Sequence, residues 1–278
     1  MTDFRMRHGG LGALASLVLI LAASAFQSAR AESTIRIGGT GMGLALARDL
    51  GRAYTAQTPG VGVEVLPSMG STGGMQALAD GAIDIGLAGR PLTSRETAGG
   101  LDVTLCLITA LVFATSHPAP NSIAVRDLPA IYRDPAPTWA DGTPLKVILR
   151  PHSGSEHPYL ASRVPDLQQA FDRAFTRRGI AIGKTDQENA ALAARIAGSF
   201  AITTLLQIRS EQLDLNVVPI DGRAPTAADA ATGAYPFPLQ VCFVKLRGPS
   251  PAATGFLDFL RSGDGLRIMA DREAVPVK

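Results

Sequence analysis

Between Ser68 and Leu92 lies the stretch that most narrows the possible folds. Gly70-Ser71-Thr72-Gly73-Gly74 follows a strand-like run (Val61, Val63, Val65) and precedes a helix-like run (Met75, Leu78, Ala79). A small-residue bend between a strand and a helix belongs to α/β architecture and gathers backbone N–H groups at a helix N-terminus. Those donors and the positive end of the helix dipole attract negative charge. Asp80-Gly81 then stops the helix, and Ala82 to Ala88 reads as a short buried strand that delivers Gly89-Arg90-Pro91 to the same sheet edge. Arg90 adds a permanent cation with a planar fork of donors. Taken alone, such a bend is equally a tight turn with a Ser or Thr cap, so the rest of the chain decides.

The pattern recurs twice. Thr34 to Gly38 alternates like a first strand and runs into Gly39-Thr40-Gly41-Met42-Gly43, after which Leu46, Leu50, Ala53 and Tyr54 mark one face of a helix. A dinucleotide fingerprint is not completed, because Leu44 stands where Gly or Ala is required. The bend offers the Thr40 hydroxyl and the amides around Gly41. Leu145 to Leu149 forms a strand ending at Arg150-Pro151-His152-Ser153-Gly154-Ser155-Glu156, where Arg150, Ser153 and Ser155 can wrap one oxyanion. A capping box from Ser153 to Glu156 would put Pro158 at the fifth helical position and break the turn. Pro158 is therefore expected to open the helix, leaving residues 153–157 as a loop with free amides.

Residues 1–31 read as a secretory signal peptide: Arg5, Arg7 and His8 form a basic start, Leu11 to Ala25 an apolar run, and Ala29-Arg30-Ala31 a small-residue cleavage site. The location expected is periplasmic. Export takes three arginines and one aspartate away, leaving 23 basic and 23 acidic residues, so the basic isoelectric point says nothing about nucleic acid, and no nucleic-acid partner is expected. Cys106 and Cys242, the only cysteines, both lie in strand-like apolar runs. In an exported chain they are either one disulfide or two buried thiols.

Strands alternate with helices along the remainder, giving α/β layers with mostly parallel sheets. The prolines at 118–120 and 236–238 suggest two crossings between lobes. Lobe 1 would comprise residues 32–115 and 236–278, and lobe 2 residues 116–235, with a ligand held between them at the carboxyl ends of strands.

Together these stretches resemble the phosphate-binding substrate-binding proteins of bacterial ABC uptake systems over nearly the whole mature chain. The resemblance rests on Gly-Gly-Thr-Gly at 38–41, Gly-Ser-Thr-Gly-Gly-Met at 70–75, Asp-Ile-Gly at 84–86 and Arg-Pro-Leu at 90–92. It continues through Trp139-x-Asp141-Gly142, Arg150 with its Ser/Gly turn, Val-Pro-Ile-Asp-Gly at 218–222 and Gly-Ala-Tyr-Pro at 233–236. It implies a two-lobed type II periplasmic-binding-protein fold, a small phosphate-like oxyanion as ligand, an ABC permease of the inner membrane as partner, a monomer, and neither cofactor nor metal. By matched position it assigns ligand contacts to Thr40, Gly41, Ser71, Thr72, Arg90, Arg150, Ser153 and Ser155.

Two departures bear on selectivity. Where the family carries an Asp before Pro-Leu as acceptor for the proton of hydrogen phosphate, this chain has Gly89 followed by Arg90. The Arg turn ends in Glu156, and a carboxylate 4 Å from an anion costs roughly 1–4 kcal/mol per unit of the anion's charge for effective dielectrics of about 80–20. Glu156 is therefore expected to turn away, to be protonated, or to mark a different ligand. His152 and His157 are available as cations to replace lost donors. An exported phosphate-ester hydrolase is the competing reading, but the chain has no Gly-x-Ser-x-Gly elbow and no His-Glu-x-x-His. The expectation is a binding protein and not an enzyme. A sensory or accessory binding module is the third reading.

Overall fold

The computed structural model describes Met1, residues 33–152 and residues 154–277; the rest of the expected leader and Ser153 lie outside the described residues. The first third runs β1 (Ser33–Gly39), α1 (Leu44–Gln57), β2 (Val61–Val65), α2 (Gly70–Ala79), β3 (Ile85–Ala88), α3 (Ser94–Ala98) and β4 (Leu101–Thr115). The middle runs α4 (Leu128–Arg133), β5 (Lys146–Leu149), α5 (Glu156–Ala161), α6 (Leu167–Phe175), β6 (Ala181–Ile182), α7 (Asp186–Arg195), β7 (Ser199–Thr204), α8 (Leu205–Glu211), β8 (Asn216–Val217) and α9 (Ala227–Thr232). The chain closes with β9 (Pro238–Leu246), α10 (Pro251–Phe259), α11 (Gly263–Asp271) and β10 (Val275–Pro276).

The strands lie in the order β2-β1-β3-β9-β4-β7-β5-β6. The expected parallel pairing holds for β2-β1-β3 at one end and β7-β5-β6 at the other. Between them the two long strands β4 and β9 run antiparallel to each other and to their outer neighbours. β4 pairs with β9 from Leu101 to Ala110 and with β7 from Leu111 to Ala114, so one strand serves two sheets. Its burial follows this division. Up to Ile108 buried residues are interspersed with half-exposed ones, whereas every residue from Thr109 to Thr115 is buried. A strand covered on both faces loses the polar alternation of a half-solvated one.

Apolar side chains on the periodic faces lock helices to this frame. Leu46, Leu50 and Tyr54 of α1 point into the core, with Tyr54 edge-on to Phe256 of α10 at 5.5 Å between ring centroids. Around β7, Phe113 of β4 stacks on Phe200 at 4.9 Å, and Tyr132 of α4 meets Phe171 of α6 at 4.6 Å. Cys106 and Cys242 face each other in the β4–β9 register and form a disulfide, which settles the alternative left open by the sequence.

Two local expectations are corrected and one element is added. The Gly-Ser-Thr-Gly-Gly segment is the first turn of α2 and not a bend before it. Glycine is needed there because a Cβ on Gly74 would come within 2.5 Å of the Gly39 Cα, so two bare backbones touch and bring the start of α2 onto the end of β1. α5 begins at Glu156, and Pro158 occupies its third position, where a missing N–H costs no intrahelical bond. α8 was not foreseen. Its apolar residues continue directly from strand β7, and the visible signal is the Thr204 hydroxyl capping the Gln207 N–H.

Candidate functional site

Three strand-to-helix junctions meet at one cavity of about 550 Å³. The end of β1 contributes Thr40, the start of α2 contributes Ser68 to Thr72, and the end of β5 contributes Arg150, Pro151, Gly154, Ser155 and Glu156. Arg90, after β3, completes the first lobe's side. Of the eight residues the sequence singles out, Thr40, Ser71, Thr72, Arg90, Arg150 and Ser155 therefore line this one cavity. Gly41 is absent from the lining, and Ser153 lies outside the described residues.

The hydroxyl groups are poised to donate. Ser71 Oγ accepts from the Gly89 N–H at 2.9 Å, which leaves its own proton for another partner. Ser155 sits at the N-cap of α5 without a side-chain capping bond. Thr40 is buried, and its N–H is spent on the Leu87 carbonyl at 3.0 Å, so its hydroxyl is the group it can offer.

The cations are already engaged, which the sequence reading did not foresee. Arg90 makes a two-pronged pair with Glu96, at 2.9 Å from Nη1 and 2.7 Å from Nη2. Glu96 also closes a capping box with Thr93. Hydrogen bonds from Arg90 chiefly hold the Glu96 carboxyl at about 2, so the pair is fully charged at neutral pH. Arg150, only 6% exposed, donates from Nε to Glu156 Oε1 at 3.2 Å, from Nη1 to the Gly183 carbonyl at 2.7 Å, and from Nη2 to Asp186 Oδ1 at 3.3 Å. Glu156 has thus neither turned to solvent nor stood apart. It is buried against Arg150, and its Oε2 has no hydrogen-bond partner among the described residues.

A fourth junction, absent from the sequence reading of the site, supplies Lys184, Thr185 and Asp186 at the start of α7. Its signal was available: a strand, Gly183, then Thr185 capping a helix, the same grammar as the other three. Asp186 reaches the bend that follows β1. A Cβ on Gly41 would lie 2.5 Å from its Oδ2, and the Gly41 amide favours its charged form. Gln187 Nε2 donates to the Gly41 carbonyl at 3.0 Å alongside. The amide that the sequence offered to a ligand therefore faces a carboxylate of the protein itself. The two histidines do not supply cations to the cavity either. His157 is packed on Phe171, and burial drives it down to about 4, while His152 stacks on Phe175; neither lines the cavity.

Burial pushes Asp186 up to about 6, Arg150 pulls it back, Glu156 adds to the rise, and the Gly41 amide opposes it. In an unfolded chain the group titrates near 4. Between these two values the folded form holds the extra proton, so its stabilising contribution is complete below about 4 and is lost as pH rises through about 6. Thermal unfolding followed by circular dichroism is expected to show the wild type gaining on Asp186→Asn as the pH is lowered from 7 to 5. Parallel curves would contradict the assignment.

Among the described residues no group of three or more His, Cys, Asp or Glu side chains could hold a metal ion, and no helix is long and apolar enough to cross a membrane. The profile of a family described as PBP superfamily domain matches residues 24–264. No curated protein matches the chain in sequence. Among solved structures, a protein designated a phosphate ABC transporter substrate-binding protein, with bound phosphate, from Clostridium perfringens aligns with TM-score 0.72 and 18% identity over 88% of this chain and 100% of its own. Reduced OxyR from N. meningitidis aligns with TM-score 0.58 and 12% identity, over 89% and 100%. An ABC-type phosphate transport receptor from Vibrio cholerae gives 0.57 and 17%, over 87% and 99%. At such identities the likeness is one of fold.

Proposed function

The chain belongs to the PBP superfamily, and from that premise we propose that it is an extracytoplasmic solute-binding protein that captures phosphate or a similar small oxyanion between its lobes for ABC-type uptake. The observation that carries this reading is the convergence of Thr40, Ser71, Arg150 and Ser155, from separate strand-to-helix junctions, on one polar cavity. Hydroxyl donors, first-turn amides and a guanidinium are the groups that replace water around a compact anion. The reading takes residues 32–115 with 236–278 as one lobe and 116–235 as the other. It places the mature protein in the periplasm as a monomer that docks on an inner-membrane permease. It assigns no cofactor, no nucleic-acid partner and no catalytic role. Among the described residues Ser71 Oγ is hydrogen-bonded to the Gly89 amide and to no carboxylate or imidazole, which argues against the hydrolase reading.

Calorimetric titration of the purified protein with phosphate, sulfate, molybdate and tungstate tests this. Saturable 1:1 binding of at least one of them, with no hydrolysis of phosphate esters, is expected. Absence of heat with all four would overturn it.

A further inference from the structure

Charge within the cavity is unbalanced at its buried centre. Two carboxylates, Glu156 and Asp186, 7% and 8% exposed, share the single guanidinium of Arg150. Arg90 gives no relief, since Glu96 cancels it. Lys184 lines the cavity but is exposed, so water screens it. Behind Asp186, Gln187 reaches the Glu211 carboxylate of α8 at 2.7 Å, so that side adds no cation. An oxyanion entering here brings further negative charge to groups that already repel one another, and in a buried site that repulsion is resolved by protonating one of them.

We propose that Asp186 takes up a proton as the oxyanion enters, so that capture is proton-coupled and the neutral carboxylic acid becomes a hydrogen-bond donor of the cavity. This inference rests on the binding function proposed above and specifies how that site is regulated. Of the two, Asp186 is the carboxylate that also touches the bend after β1. It lies against the Gly41 amide while its Oδ1 meets Arg150 at 3.3 Å. Its carboxyl is also raised to about 6, chiefly by burial, so the proton is close to binding at neutral pH.

Calorimetry with phosphate at pH 7.5, in two buffers of different ionisation enthalpy, counts the protons bound. Phosphate's own titration is common to all variants and cancels in their differences. The wild type is expected to take up close to one proton more than Asp186→Asn, whose neutral amide imitates the protonated acid. Linkage to a group titrating near 6 makes the variant bind at least about tenfold tighter at pH 7.5, with the gap closing by pH 5.5. Glu156→Gln, which leaves Asp186 alone on Arg150, should take up fewer protons than the wild type but more than Asp186→Asn, and Asp186→Ala serves as second variant should the asparagine fail to fold. Equal proton counts in wild type and Asp186→Asn would overturn the proposal while leaving oxyanion binding intact. Absence of binding in every form would remove the binding function itself, and this inference with it.

Discussion

Arg150→Ala is expected to abolish anion capture and to destabilise the protein by about 3–5 kcal/mol, the range for removing one partner of a buried ion pair. The variant strips the shared counter-charge from Glu156 and Asp186 together and frees the Gly183 carbonyl. Arg150→Lys should rescue little of either property, because an ammonium cannot span three acceptors in the planar fork that guanidinium provides. Urea denaturation measures the stability loss. The triple variant Arg150→Ala, Glu156→Gln, Asp186→Asn supplies the control: with no charge left to compensate, much of the stability should return while capture does not. A loss below about 1 kcal/mol in the single variant would mean that water already solvates the two carboxylates.

Reduction of the Cys106–Cys242 disulfide is expected to cost about 2–4 kcal/mol. The bridge closes a separation of 136 residues, and the conformational entropy withdrawn from an unfolded chain by so long a loop corresponds to about 5 kcal/mol as an upper figure. The double variant Cys106→Ser, Cys242→Ser should show a lower urea midpoint than the oxidised wild type and no response to added reductant. Unchanged midpoints would show that β4 and β9 are held in register by their ladder and packing alone.

The elements that build the cavity were legible because each is announced locally: a run of apolar residues, a small-residue bend, a cap. Thr40, Ser71 and Arg150 each stand at such a junction, and the three line one cavity. The partners of the cations were not legible, for a physical reason. The carboxylate that meets Arg150 from α7 is 36 residues away, and only the packing of the helix start against β5 and the first lobe brings them together. Glu96 was closer to reach, since Thr93-x-x-Glu96 is a capping-box signature in plain sequence. Its second bond, to Arg90, needs the chain to fold back after Pro91.

The pairing of charges at the cavity has a kinetic consequence. Arg90, Arg150 and Lys184 are matched in number by Glu96, Glu156 and Asp186, so the mouth projects no net attractive field beyond a Debye length of about 8 Å in physiological salt. If the site takes the oxyanion proposed for it, these groups would not steer its approach, and the encounter rate is expected to change little with ionic strength. Whatever selectivity the protein exerts is exercised after arrival, in how long each anion stays.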